Sequence, residues 1–273
     1  MPYFLFAGQQ VFYEDHGEGS PLLILNGVFM STASWEPFIP VFARHNRLLL
    51  LDFLDQGKSS RMKQAYGQEL QAEVALSLLD HLGLASAHVV GISYGGQVAL
   101  RLALTHSQRV TKLVLANTTA RVDAWLSDVG AGWAQALDAG GVAAFFRAAM
   151  PRIYSRPFYN QQLAWLRRRE LGFAQNFSPA VAQATLRLLA SAENVNLVSS
   201  LPEVVVDTLL ISAEYDEVTP IEMQAEMLSR LPRALHVTIP ACGHASMYEK
   251  PREFSLVVLG FVNNNLDLNI VRQ

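Results

Sequence analysis

A serine hydroxyl is a poor nucleophile at neutral pH unless one group takes its proton and another orients that base. Ser93 is placed for such work, in Gly91-Ile92-Ser93-Tyr94-Gly95-Gly96 with a glycine two positions to either side. Side chains at Gly91 and Gly95 would not fit so tight a turn, which lifts the hydroxyl to the top of a sheet. The pattern alone is weak, and its flanks strengthen it. Ala87-His88-Val89-Val90 is short, apolar and β-branched, as a buried strand is. Residues 97–104 are rich in Ala and Leu, as a helix is. Strand, serine and helix together are the layout of a nucleophile elbow.

The base and its orienter are expected on loops at the carboxyl ends of other strands. The run 209–212 leads into Ala213-Glu214-Tyr215-Asp216, and the run 235–239 leads into Pro240-Ala241-Cys242-Gly243-His244. The order Ser93, Asp216, His244 differs from the chymotrypsin and subtilisin orders and matches that of α/β-hydrolases. Asp216 also has a plainer reading, as an acid opening the helix that starts near Thr219 and Pro220. Glu214 and Glu217 read as solvated.

Strand-like runs at 11–14, 22–25, 47–51, 88–90, 112–116, 208–212 and 235–239 alternate with helical patterns at 35–43, 68–82, 95–105, 221–231 and 252–263. That alternation predicts βαβ units and a mostly parallel sheet. It breaks between about Thr119 and Pro202, where Ala, Leu, Arg and ten aromatics replace any convincing strand. We therefore expect a core domain of 1–118 and 203–273 and a helical cap insertion of 119–202.

A chain of 273 residues with 51% hydrophobic and 16% charged residues reads as globular rather than disordered. A net charge of −3 makes no general case for nucleic-acid binding. One cysteine, Cys242, excludes an internal disulfide and fits a reducing compartment. The N-terminus lacks a basic segment, and no apolar stretch nears the roughly 18 residues a membrane span needs. The expectation is a cytoplasmic protein without membrane association.

On the elbow, the acid loop Asp216-x-x-x-Pro220, Gly243-His244 and the loop Asp52-Phe53-Leu54-Asp55-Gln56-Gly57-Lys58-Ser59, the chain resembles the α/β-hydrolase superfamily over nearly its whole length. The last loop fits the family's D-x-x-G-x-G-x-S except that Asp55 stands for the first glycine. The resemblance implies an α/β-hydrolase fold, a mostly parallel central sheet flanked by helices, with the insertion as a lid. It implies a serine hydrolase of small to medium apolar carboxylic esters or thioesters, with Ser93 as nucleophile, His244 as base and Asp216 as orienter. Asp123, beyond the preceding strand, is the rival acid, because some family members place it there. Oxyanion donors are expected at the N–H of Tyr94, after the nucleophile, and of Val28, where Asn26-Gly27 replaces the usual His-Gly. Phe29 and Met30 follow as candidate substrate contacts. No cofactor and no metal are called for.

Other readings stay open. Ser31-Thr32-Ala33-Ser34-Trp35, Gln56-Gly57-Lys58-Ser59 and Asp216-Glu217 are similar to 3-hydroxyacyl transferases of rhamnolipid precursor synthesis, which implies an acyltransferase using an acyl-CoA or acyl-carrier donor. Non-catalytic ligand receptors, cofactor-free haloperoxidases and carbon–carbon bond hydrolases share the scaffold and its Ser-Asp-His set. Haloalkane dehalogenases need Asp at the elbow, which Ser93 disfavours. Cys242 lacks an elbow and reads as a small buried side chain. The remaining histidines, His16, His45, His81, His88, His106 and His236, read as surface or structural groups without metal-ligand spacing. Asp52 and Ser59 are expected to brace their own loop. Asp55 reads as a solvated loop acid, with a place at the entrance as the alternative. Between Gly141 and Gly172, six arginines (147, 152, 156, 167, 168, 169) against Glu170 alone give +5. This is either a solvated helix face or a dock for the phosphates of CoA or an acyl carrier protein.

Overall fold

Leu22-Leu23-Ile24-Leu25 and Leu48-Leu49-Leu50-Leu51 are unbroken apolar runs, the pattern of strands covered on both faces. In the computed structural model, which describes residues 2–264, they lie side by side in an eight-stranded sheet. Its strands are β1 (Tyr3–Phe6), β2 (Gln9–His16), β3 (Ser20–Leu25), β4 (Asn46–Leu51), β5 (Ala87–Ile92), β6 (Val110–Ala116), β7 (Thr208–Ala213) and β8 (Ala234–Ile239). The order across the sheet is β1-β2-β4-β3-β5-β6-β7-β8. Neighbours from β4 to β8 run parallel, and β1 and β2 form the antiparallel edge.

Alternate strand residues feed two cores. Leu23, Leu25, Leu49, Leu51, Val89 and Leu113 face one side with Val74, Leu78 and Val98 from helices. Leu22, Ile24, Leu48, Leu50, Val90 and Val114 face the other with Trp35, Phe42 and Phe254. Burying each such Leu stabilises the fold by about 1.5–3 kcal/mol before entropy is counted.

The helices are α1 (Ile39–Phe42), α2 (Glu69–His81), α3 (Tyr94–Thr105), α4 (Ala124–Ile153), α5 (Arg156–Gln161), α6 (Leu163–Asn176), α7 (Pro179–Ala190), α8 (Ile221–Leu228), α9 (Ser246–Glu249) and α10 (Pro251–Asn263). The expected helix at 35–43 is a 3-10 turn over Thr32–Phe38 followed by the short α1, with Pro37 and Pro40 breaking the continuous ladder. β1 was not expected. It joins β2 through Ala7 and Gly8, both at positive φ (47° and 80°), a two-residue hairpin turn that Ala rarely makes.

Helices α4 to α7 lie between β6 and β7 in the chain. The segments leading out and back run together: Val122 N–H donates to Val195 O and Leu197 N–H to Ala120 O. Within α4, Gly141 at φ 63°, ψ −159° marks a kink between two helical pieces. Phe145, Phe146 and Met150 from this helix join the second core. Residues 265–273 of the expected core segment lie outside the described residues.

Candidate active site

Ser93 follows the last residue of β5 with φ 53° and ψ −117°, a conformation L-residues adopt at a cost on the order of 1–3 kcal/mol. Four hydrogen bonds hold its backbone there: its N–H donates to Ala116 O (2.9 Å), and its carbonyl accepts from Gly96 N–H (2.9 Å), Gln97 N–H (3.4 Å) and Thr118 Oγ1 (2.6 Å). The flanking glycines are required by space. A Cβ at Gly95 would sit against the Leu25 carbonyl, and one at Gly91 against the Gly95 carbonyl.

Parallel β5, β7 and β8 deliver their carboxyl-end loops to one rim of the sheet. There His244 Nε2 lies 2.9 Å from Ser93 Oγ, and His244 Nδ1 lies 2.9 Å from Asp216 Oδ2 and 3.0 Å from Oδ1. Asp216 accepts further bonds from Val218 N–H, Thr219 N–H, Thr219 Oγ1 and Asn117 Nδ2, all between 2.8 and 3.0 Å. Burial alone would push the Asp216 carboxyl up. The adjacent imidazole and these donors outweigh it and hold the group below the usual carboxylate range. Asn117, itself at φ 46°, accepts from Ser246 Oγ (2.6 Å). Sequence reasoning missed Asn117, Thr219 and Ser246, which have no local pattern, although Asn117 directly follows a strand end. Asp123, the rival acid, N-caps α4 by accepting from Leu126 N–H (2.9 Å).

Val28 and Tyr94 are the expected oxyanion donors. Neither backbone N–H has a protein acceptor among the described residues, which is uncommon for groups in a folded interior. Val28 borders both cavities that reach Ser93, and Tyr94 borders the larger. Asn26 anchors this loop: its Nδ2 donates to Leu51 O (2.7 Å) and its Oδ1 accepts from Trp35 Nε1 (2.8 Å).

Ser93 opens onto a cavity of about 90 Å3 and another of about 280 Å3. The smaller is walled by Phe29, Met30, Trp133, Phe145, Phe146 and Tyr154, and the Phe29 ring lies 4.2 Å from that of Phe145. The larger carries Leu126 and Leu189 beside Gln97, Thr119 and Glu193. Phe29, Met30, Arg169 and Phe173 also border a cleft of about 520 Å3 between α6, α7 and the 55–61 loop.

Asp55 corrects the expectation of a solvated acid. It is 4% exposed, borders that cleft and pairs with Arg187 of α7. The arginines of the insertion divide. Arg169 stacks over Trp165 (4.8 Å) and Tyr248 (4.9 Å) at the cavity wall, Arg167 pairs with Glu170, and Arg147, Arg156 and Arg168 are exposed. Asp52 and Ser59 do brace their loop. Asp52 accepts from Thr32 and Lys58 N–H, and Ser59 Oγ donates to Asp52 O. Glu214 and Glu217 are exposed, and Cys242 is fully buried with its thiol pushed up to about 12 by burial.

A sheet of this order with a strained serine at the end of β5 defines a class. The family model described as alpha/beta hydrolase fold matches residues 20–251, and the chain belongs to that family and is a hydrolase. It is 37% identical to MGS-M2, an alpha/beta hydrolase enzyme from a Medee basin deep-sea metagenome library, with a TM-score of 0.94 over 98% of this chain and 99% of that one. It is 30% identical to the 2-hydroxymuconate semialdehyde hydrolase of Pseudomonas sp. strain CF600, covering 94% of this chain and 91% of that protein. It is also 30% identical to the pimeloyl-[acyl-carrier protein] methyl ester esterase of Nitrosomonas europaea, covering 88% and 95%. Among the described residues no helix is long and apolar enough to cross a membrane.

Proposed function

We propose that the protein hydrolyses carboxylic esters or thioesters of small to medium apolar acyl groups through an acyl-enzyme on Ser93, beneath a helical cap formed by residues 119–202. The observation that carries this reading is the unbroken chain from Ser93 Oγ to His244 to Asp216, at 2.9 Å for each link, beside two N–H donors without an acceptor among the described residues.

Ser93 Oγ attacks the carbonyl carbon while its proton passes to His244 Nε2. Asp216 accepts from Nδ1, which fixes the tautomer and stabilises the imidazolium. The Val28 and Tyr94 N–H groups receive the developing oxyanion, each worth about 3 kcal/mol in the transition state. The C–O or C–S bond then breaks, and His244 returns the proton to the leaving alcohol or thiol. Water repeats the sequence, giving a proton to His244 and releasing the acid as Ser93 regains its hydrogen. The aromatic wall of the smaller cavity suits an apolar acyl chain.

A fluorophosphonate should label the native protein at Ser93, with p-nitrophenyl esters turned over in many cycles. Labelling that persists in Ser93→Ala would refute the assignment. Transfer to a hydroxyacyl acceptor, the alternative chemistry, would instead yield a dimeric ester as product.

A second reading, that the acyl group arrives on CoA or an acyl carrier protein, is supported by the exposed Arg147, Arg156 and Arg168 of the insertion and by the relative that acts on a carrier-linked ester. Converting Arg147, Arg156 and Arg168 to Glu should then slow carrier-linked substrates more than simple esters. Equal effects on both would end that reading.

A further inference from the structure

Gln56 belongs to the loop where the chain departs from its family pattern, and it is 4% exposed. Its Nε2 donates to two successive backbone carbonyls, Gly27 O at 2.8 Å and Val28 O at 3.1 Å. Gly27 O also accepts from Met30 N–H at 3.2 Å. The Gly27–Val28 peptide plane is therefore pinned on its carbonyl side by a side chain and by the turn itself. Among the described residues no peptide is cis, and in a trans peptide the N–H points opposite the C=O. Holding Gly27 O toward Gln56 turns the Val28 N–H away from it. The nucleophile is close by: a Cβ built on Gly27 would lie 3.6 Å from the Ser93 Cβ, and Val28 and Ser93 border the same two cavities.

The other end of the amide is informative too. Among the described residues Gln56 Oε1 is buried without a hydrogen-bond partner. Reversing the amide would set Oε1 against both carbonyl oxygens, so the two carbonyls dictate its orientation. A buried acceptor left unpaired costs stability.

We propose that Gln56 is a positioning residue of the oxyanion hole. Its amide fixes the Gly27–Val28 peptide and so aims the Val28 N–H at the oxygen that becomes negative when Ser93 attacks. Donation into the Gly27 carbonyl also polarises that peptide and strengthens its N–H as a donor. Preorganisation of this kind matters because the donor must already point at the oxyanion when charge develops. The inference rests on the reading of Ser93 as nucleophile and Val28 as donor.

Gln56→Leu keeps the bulk and removes both donors. Its kcat on p-nitrophenyl esters should fall about 10- to 100-fold with KM unchanged, short of the roughly 100- to 1000-fold loss of a whole oxyanion donor. Affinity for a trifluoromethyl ketone, which forms an oxyanion on the serine, should fall by the same factor as kcat/KM. Binding of intact ester to Ser93→Ala and to Ser93→Ala/Gln56→Leu should be equal. Gln56→Glu should be slow at neutral pH and gain on the wild type as pH falls, because a protonated carboxyl regains a donor.

A kcat for Gln56→Leu within twofold of wild type, while Ser93→Ala is inactive, would overturn the proposal alone. So would a loss of kcat without any loss of ketone affinity. If Gln56→Leu fails to fold, the Gln56→Glu pH profile decides, and a constant ratio to wild type overturns the proposal. Turnover retained by Ser93→Ala would instead overturn the reading beneath it.

Discussion

Asp55 and Arg187 join the core to the inserted helices through a two-pronged pair, with Arg187 Nη2 2.8 Å from Asp55 Oδ1 and Nε 3.1 Å from Oδ2. The Asp55 side chain has no solvent exposure, and its backbone sits at φ 71°, where the family pattern has glycine. Its Oδ1 also accepts from Met62 N–H at 2.8 Å. The carboxylate thus ties α7 to the loop that carries Gln56.

Removing one partner of such a pair should cost more than removing both. Arg187→Met leaves a buried carboxylate without its ion-pair partner and should destabilise the protein by up to about 3–5 kcal/mol. Asp55→Gly/Arg187→Met relieves both that charge and the positive φ, so it should melt higher than Arg187→Met alone. Thermal denaturation of the double-mutant cycle reads this directly.

Asp216 links the site to stability. Its folded pKa lies below its unfolded value near 3.9, so its ionised form stabilises the fold above that value. This contribution is lost as pH falls through the folded value. The stability gap between wild type and Asp216→Asn should therefore be full at pH 7 and shrink below about pH 3.9. At neutral pH the same variant should lose roughly 10⁴-fold in kcat, as expected when the orienting acid can no longer hold the tautomer.

Cys242 should be inert. With its thiol pushed up to about 12, the thiolate is scarce at pH 8, and its side chain is fully buried. Native protein should react with iodoacetamide at least about 10³-fold more slowly than a free cysteine, and unfolded protein at the ordinary rate.

Gly95→Ala tests the elbow. The added methyl would press on the Leu25 carbonyl, which is fixed in the centre of the sheet. Neither side can yield cheaply, so a loss above about 4 kcal/mol is expected by chemical denaturation.

Asn26→Ala removes the acceptor of Trp35 Nε1 and the donor to Leu51 O, leaving two buried groups unpaired. A cost of about 1–3 kcal/mol per orphaned group follows. Because the same loop carries Val28, kcat should fall along with the melting temperature.

What could be read without coordinates was local. Leucine runs, glycines around Ser93 and turn residues after strands are written in neighbouring positions, because strand pleat and turn sterics act over a few residues. Seven of the eight strands were legible in this way. β1 escaped because Ala7 stands where a hairpin turn usually has Asn or Gly. The same locality explains Asp55. Its charge suggested solvent, and Arg187, placed opposite it by the packing of α7, together with the Met62 N–H makes a buried carboxylate tolerable.

The chain alone determined which residues could act: a serine in an elbow, an acid and a histidine each following a strand. Tertiary structure decided which of them meet. A parallel sheet puts the carboxyl ends of β5, β7 and β8 on one rim, and a gap of 2.9 Å between His244 Nε2 and Ser93 Oγ is a property of that packing. Asn117 and Thr219 on Asp216, Gln56 on the Gly27–Val28 peptide, and the division of the space around Ser93 all arise between segments far apart in the chain. Hydrogen bonds across such distances leave no periodicity for a sequence to display.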